Sequence, residues 1–297
     1  MSIFKRKRRR KIPFVISFGI ILLFFGVMVA DYMGYSLYSL FSPHYQAPEG
    51  QIRVHIIDVG QADCVLVETP DGCLLIDSGM NSSEDHLEEY LEDLHIETID
   101  YFIITHAHSD HIGGADMLFE EFCVENVFYD NHKYSEKQAE MLIESGAKLY
   151  DVGARDVYNI GGLSLTILSA DIEEVEDEND YSVVFKLQYG ESSFVFTGDA
   201  TEYAESVILE RFGEDELDCD FIKAGHHGSA ISSSEDFLRA LTPDIVAISC
   251  GRGNSYGHPT KEALDRYNEV GAAIYRTDLM GDLIFVCDGT NITFIEE

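Results

Sequence analysis

Four side chains that bind divalent metals fall within six residues, at His106, His108, Asp110 and His111, in the run Thr105-His106-Ala107-His108-Ser109-Asp110-His111. An apolar strand-like stretch, residues 101–105, leads into them, and Gly113-Gly114 follows. In an extended segment side chains alternate faces, so His106, His108 and Asp110 share one face. A bend at the start of a helix then brings His111 round to join them. Neutral imidazole and carboxylate donors suit zinc, with manganese as the alternative. The two glycines let the backbone pass close to the site. A histidine-rich surface loop is the bland alternative, and four ligands at this spacing directly after an apolar strand argue against it.

More candidates lie downstream. His226 and His227 are adjacent in Gly225-His226-His227-Gly228-Ser229, and spacing alone does not fix which imidazole points inward. His258 precedes Pro259-Thr260, where a helix begins, a position suited to a phosphate contact; a loop histidine packing on Tyr256 is the competing reading. Asn179 and Ser182 support a loop near the site, with direct contact to substrate as the sharper role. The acidic run 173–180 reads as a solvated loop, with a calcium site as the alternative. His132 is isolated, and its place in the chain argues against a ligand role.

These residues need a scaffold, and the pattern supplies an α/β one. Strands are expected at 52–57, 64–68 and 73–76, the last two joined by the turn Thr69-Pro70-Asp71-Gly72 so that Glu68 faces Cys73. Leu87, Tyr90, Leu91 and Leu94 recur at helical spacing and mark a helix over 83–95. A helix to about residue 122, a strand at 124–129 and a helix at 135–145 stopped by Gly146 come next. Strand-like stretches at 156–160, 163–168, 182–189 and 193–197 precede a helix over 201–212. A strand at 221–223 is followed by a capping box, Ser232-x-x-Glu235, that opens a helix to residue 241. A strand at 244–250, a helix at 260–270 and strands at 272–275, 283–286 and 292–295 close the chain. Pattern alone supports two sheets face to face with helices outside, and little more.

The N-terminal part has another composition. Residues 5–11 read KRKRRRK, and residues 12–30 carry no charge. At about 1.5 Å per residue such a run just spans a bilayer core. The basic flank should stay cytoplasmic and send the rest outside. A cleaved signal peptide is the alternative, disfavoured by the length of the run and by the loose cleavage match at Met28-Val29-Ala30. The expected organisation is a basic tail (1–11), a transmembrane helix (12–30), a linker (31–50) and one domain (51–297). Either way the domain is extracytoplasmic, anchored in the cell membrane or secreted. Seven of the 20 basic residues and none of the 54 acidic ones precede Asp31, so 13 basic face 54 acidic residues from there on, a balance of −41. Solubility is the plain reading of that acidity. It argues against nucleic acid as a partner, since such binding normally depends on basic residues at phosphates. The six cysteines do not read as a disulfide scaffold: Cys64, Cys73, Cys250 and Cys287 sit in apolar runs, and no C-x-x-C occurs.

The run HAHSDH resembles the H-x-H-x-D-H signature of metallo-β-lactamase-fold hydrolases. The resemblance extends over nearly all of residues 52–297, because other landmarks follow in order: Asp58-Val59-Gly60-Gln61-Ala62-Asp63, Leu75-Ile76-Asp77-Ser78-Gly79, Phe196-Thr197-Gly198-Asp199-Ala200 and the 223–229 loop. The variants DVGQAD, Glu178-Asn179-Asp180-x-Ser182, GHHGS and Tyr256-Gly257-His258-Pro259 resemble the ComEC-like branch, which also includes the pneumococcal phosphorylcholine esterase. The resemblance implies an αββα sandwich with two metals at one edge of the sheets. His106 and His108 would hold one metal, Asp110, His111 and His227 the other, and Asp199 would bridge them with a water or hydroxide. His226 would contact a non-bridging oxygen of the substrate or protonate its leaving group, and the resemblance tips His258 and Asn179 towards substrate binding. The third histidine that many superfamily members give the first metal has no counterpart near Leu168-Ser169-Ala170. The phosphorylcholine-esterase-like pattern lacks it too, which counts against penicillin-type hydrolysis. The function expected is a metal-dependent hydrolase, a phosphodiesterase or phosphomonoesterase acting on a small-molecule or cell-surface phosphoester through the metal-bridging hydroxide. The alternatives are an extracellular nuclease linked to DNA uptake and a surface binding protein with an inactive metal site.

Overall fold

The computed structural model describes residues 47–172 and 175–296. The expected tail, the expected span at 12–30, most of the linker, and Glu173 and Glu174 of the acidic run lie outside the described residues. Among the described residues no helix is long and apolar enough to cross a membrane.

The strands are, in chain order, β1 (Ile52–Ile56), β2 (Val65–Thr69), β3 (Gly72–Ile76), β4 (Thr98–Ile103), β5 (Cys123–Tyr129), β6 (Lys148–Asp151), β7 (Val157–Ile160), β8 (Leu163–Ser169), β9 (Val184–Tyr189), β10 (Ser192–Phe196), β11 (Phe221–Lys223), β12 (Ile245–Ile248), β13 (Ala273–Arg276), β14 (Leu283–Cys287) and β15 (Ile292–Ile295). They form an eight-stranded sheet, β15-β14-β1-β2-β3-β4-β5-β6, and a seven-stranded one, β13-β12-β11-β10-β9-β8-β7. The helices are α1 (Glu84–Asp93), α2 (Ser109–Ile112), α3 (Ala115–Glu121), α4 (Glu136–Glu144), α5 (Glu202–Arg211), α6 (Glu214–Leu217), α7 (Glu235–Leu241), α8 (Lys261–Glu269) and α9 (Thr277–Met280).

Each sheet is antiparallel in part and parallel in part. The steps β3 to β6 and β10 to β13 are parallel. A parallel step needs a crossover, and helices supply these crossovers. The inner faces of the two sheets meet in one core, where Val54, Ile56 and Phe285 of the first sheet join Phe185, Phe194 and Phe221 of the second. Fully burying such side chains stabilises the fold by about 1.5–3 kcal/mol each. Each outer face is covered in turn. Leu87 and Leu91 of α1 and Leu118 of α3 pack on the first sheet. Ile208 of α5, Phe237 of α7 and Tyr267 of α8 pack on the second. The result is an αββα sandwich.

Most expected elements are present with ends shifted by a few residues, and the hairpin pairs Glu68 with Cys73 as expected. β6, α6 and α9 are additional; they are four residues each, too short to show a period. The capping box is corrected. Ser234, not Ser232, caps α7, its hydroxyl accepting from Phe237 N–H. Ser232 belongs to a tied-down loop instead, because Arg266 of α8 donates to the carbonyls of Ala230, Ser232 and Ser233. All six cysteines are free.

The same loop rests on Glu205 of α5, which is 1 % exposed. Its carboxylate accepts from the N–H groups of Ser233 and Ser234. Burial outweighs those bonds and pushes its carboxyl from 4.5 up to about 7. Between those values the folded chain holds a proton that the unfolded chain has lost, so stability falls as pH rises. Glu205→Gln imitates the protonated form. It is expected to remove a fall of roughly 3 kcal/mol between pH 4.5 and pH 7. Denaturant melts of both chains across that range check this; parallel stability curves would show Glu205 to be indifferent.

Candidate metal centre

In sheets of this kind the loops after the carboxyl ends of parallel strands gather at one edge. Here those loops carry Asp77 after β3, His106 to His111 after β4, Asp199 after β10, His226 and His227 after β11, and Ser249 to His258 after β12. The parallel half of each sheet therefore feeds one site.

The extended stretch after β4 ends sooner than expected. His108 is the N-cap of α2, with φ −69° and ψ 149°, and Asp110 already sits in the helix. Asp110 and His111 reach the centre from one helical turn, whereas His106 and His108 come from the extended approach. Gly114 permits the packing that holds this turn down: a Cβ there would lie 2.5 Å from the carbonyl oxygen of Ser78. The close approach is thus to the loop after β3. His226 and His227 have φ of 47° and 55°, the left-handed region. Two successive non-glycine residues there are strained, and such strain gathers at functional sites. A Cβ on Gly228 would stand 2.5 Å from Pro259 Cβ, so glycine lets the His258 loop close on the His226 loop.

Asp110, His111, Asp199 and His227 each offer one ligand atom, all within 4.8 Å of one another. His111 Nε2 lies 3.3 Å from Asp199 Oδ1, and His227 Nε2 lies 3.5 Å from Asp110 Oδ2 and 3.7 Å from Asp199 Oδ2. The far sides of both rings are held. His111 Nδ1 is 2.7 Å from Asp77 Oδ2, and His227 Nδ1 is 3.0 Å from Ser249 O. Asp77 also accepts from the N–H and hydroxyl of Thr105. His106 Nε2 is 3.0 Å from His108 Nδ1, and its other nitrogen faces the hydroxyls of Thr105 at 3.1 Å and Ser182 at 3.4 Å. Ser182 Oγ further accepts from Asp199 N–H, joining the His106 side to the shared aspartate. The buried Nε2 atoms of His111 and His227 and Oδ1 of Asp199 make no hydrogen bond. Buried polar atoms are normally partnered, so convergent orphans of this chemistry fit a divalent cation.

The charges agree with that fit. Burial works against ionisation throughout. At His111 the carboxylates of Asp199 and Asp77 outweigh it and hold the imidazolium well above its usual range. At His227 Asp199 and Asp63 do the same, to about 9. Those two imidazolium charges keep Asp199 well below the usual carboxylate range. Protons therefore balance the carboxylates of the metal-free site, and cation uptake must release them. Burial holds His106 well below its usual value, with His111 adding to the effect. Burial also lowers His226, and it lowers His258 to about 4 with help from His226.

An open cleft of about 230 Å³ leads to the cluster, lined by Gln61, Asn179, His226, Tyr256 and His258 among others. His226 Nε2 is 3.5 Å from Asp199 Oδ2. The rings of His226 and His258 meet edge to face at 5.6 Å, and Tyr256 lies against His258 at 5.8 Å. Both readings of His258 thus hold geometrically, since it packs on Tyr256 and lines the cleft. The solvated-loop reading of 173–180 holds at the exposed Glu176 and Glu178 and needs correction at Asn179 and Asp180. Asp180 is buried and its Oδ1 accepts from the N–H and hydroxyl of Thr201, which pins the turn after Asp199. Asn179 is buried beside it, with an unpartnered Oδ1. His132 pairs with Asp130 and stacks flat on Tyr181 at 5.2 Å, outside the converging set. Asp63 and Asp77 stand in the sequence as family landmarks without an evident role. Asp77 follows one apolar strand and Asp63 precedes another, and a lone acid beside a strand does not reveal its partner.

A fold of this architecture with histidines and aspartates gathered at one sheet edge defines a class of metal-dependent hydrolases. The chain belongs to the metallo-beta-lactamase superfamily, whose family description matches residues 57–252. Within it the chain falls in the ComEC-like branch. It is 30% identical over 261 residues to ComE operon protein 3 of Bacillus subtilis, covering 80% of this chain and 33% of that protein. It is 27% identical over 244 residues to competence protein ComA of Neisseria gonorrhoeae, covering 80% and 33%. With recombination protein 2 of Haemophilus influenzae the identity is 28% over 273 residues, covering 90% and 31%. The chain therefore spans about a third of the length of these relatives. Among solved structures, the metallo-beta-lactamase fold protein YhfI of Bacillus subtilis superposes with a TM-score of 0.56 at 12% identity, covering 80% of this chain and 99% of YhfI. The diiron beta-hydroxylase CmlA of Streptomyces venezuelae superposes with a TM-score of 0.56 at 17% identity, covering 84% and 55%. At such identities these likenesses concern the fold alone.

Proposed function

We propose that this chain is an extracytoplasmic phosphoesterase with a two-metal centre, carried on the membrane by residues 12–30. His106 and His108 would hold one cation, Asp110, His111 and His227 the other, and Asp199 would be shared. Zinc suits the donors, and manganese is the alternative. Such a pair supplies an acidified water and offsets charge on phosphoryl oxygens. The chain's own residues do the rest. Asp77 and Ser249 orient His111 and His227 through their Nδ1 atoms. Thr105 and Ser182 face the outer nitrogen of His106. On the open side His226 hydrogen-bonds a non-bridging oxygen or gives a proton to the leaving group, while His258 and Asn179 hold the phosphoryl group.

One observation carries this reading: His226 and His258 line an open cleft that ends on Asp199, with His226 Nε2 3.5 Å from Asp199 Oδ2. The balance of −41 from Asp31 onward favours small or cell-surface phosphoesters over nucleic acid. The competence and recombination names of the relatives favour a nuclease as the second reading. The test is metal analysis of the chain with a panel of bis-p-nitrophenyl phosphate, p-nitrophenyl phosphorylcholine, single-stranded DNA and nitrocefin. Turnover of the first two is expected. Fast cleavage of DNA with tight, salt-resistant binding would replace the reading with the nuclease, and a metal-loaded chain inert on the whole panel would leave a binding protein. For location, a reporter fused after Glu297 is expected to work outside the membrane; cytoplasmic activity would sink the anchored topology.

A further inference from the structure

Behind the converging ligands lies a buried ion pair that the proposed chemistry does not use. Lys223, at the end of β11, is 2 % exposed and Asp63, in the loop after β1, is 3 % exposed. Lys223 Nζ donates to Asp63 Oδ2. A buried ammonium is costly unless paired, and apolar residues of the same size often serve stability as well. Asp63 shows what the pair is for. Its Oδ1 is 3.2 Å from His227 Nδ1, and its Oδ2 is 3.9 Å from His111 Nδ1. Its own N–H donates to the carbonyl of Asp110 at 3.0 Å, and its carbonyl accepts from Gly79 N–H at 2.8 Å. One residue thus meets two of the four converging residues directly, His227 by its carboxylate and Asp110 by its backbone, and lies near a third, His111, whose Nδ1 bonds Asp77. Lys223 sits on the same carboxylate from the opposite sheet.

We propose that Lys223 is a positioning residue: through Asp63 it braces the Nδ1 edge of His227 and the backbone of Asp110, so that His227 Nε2 and the Asp110 carboxylate face the cation side. This rests on the metal-centre reading of the site and not on the phosphoester reading. Orienting partners of metal-ligating histidines set affinity as well as geometry.

The test compares the full-length chain with Lys223→Met, Asp63→Asn and the double variant. Thermal melts of metal-free samples are read beside Zn²⁺ titrations of the same samples. Asp63→Asn strands a buried ammonium, and Lys223→Met leaves Asp63 only the imidazoles of His227 and His111 to offset its charge, so each single change is expected to melt lower. The double variant removes both charges and is expected to melt near the wild type, yet to bind one of two Zn²⁺ ions roughly 10–100-fold more weakly. A double variant with wild-type Zn²⁺ affinity would overturn the proposal, because the pair would then serve stability alone. A double variant that does not fold would overturn it too, since the fold itself would then need the pair. A wild-type chain that takes up fewer than two Zn²⁺ ions would overturn the metal-centre reading and this proposal with it. Normal wild-type uptake with weakened binding in the double variant supports both.

Discussion

Asp199→Asn is expected to leave a folded chain that no longer retains two metals and whose turnover falls by more than the roughly 10–100-fold that loss of a ligand's orienting partner costs. Asparagine keeps the size of the side chain and removes the negative charge that offsets two dications. Asp199 faces His111 at 3.3 Å and His227 at 3.7 Å on one side, and its N–H donates to Ser182 Oγ, which faces His106 on the other, so it would be the group common to both sides of the centre. Folding should survive because the flanking histidines keep other acceptors: His111 still has Asp77, and His227 still has Ser249 O. The substitution also removes the carboxylate that raises the pKa of both histidines. Fewer protons should then be released when metal is added to the variant near neutral pH. Metal content per chain, proton release and turnover on a phosphodiester check the three parts. Two retained metals with near-normal rates would refute the dinuclear mechanism.

His226→Ala and His227→Ala should part company although the residues are neighbours. His227 is buried, its Nδ1 is tied to Ser249 O, and its Nε2 faces Asp110 and Asp199. Its loss should cost one metal. His226 lies on the cleft side, meets His258 edge to face and is partly exposed. His226→Ala is expected to keep both metals and lose roughly 10²–10⁴-fold in turnover, the range for a positioned general acid. Metal analysis and initial rates of the two variants decide this. If His226→Ala loses metal and His227→Ala does not, the two histidines exchange roles.

What was legible from sequence was whatever is local along the chain. The run of histidines and aspartate from His106 to His111, the glycines after it, the hairpin pairing Glu68 with Cys73 and the helix carrying Leu87 and Leu91 all depend on residues a few positions apart, where periodicity and spacing speak directly. Motifs read together also identified the family, and with it the αββα sandwich. Only the tertiary structure showed that Asp63 and Lys223, 160 residues apart, pair beneath His227, because that contact is made across the two sheets. It also decided that Asp77 backs His111, that Asp180 is buried against Thr201 rather than solvated, and that His132 goes to Asp130 and Tyr181. A carboxylate reads the same in sequence whether it meets water, a histidine or a helix start. Its role is set by which strand ends the topology brings to one edge, and that follows from burying both faces of two sheets at once.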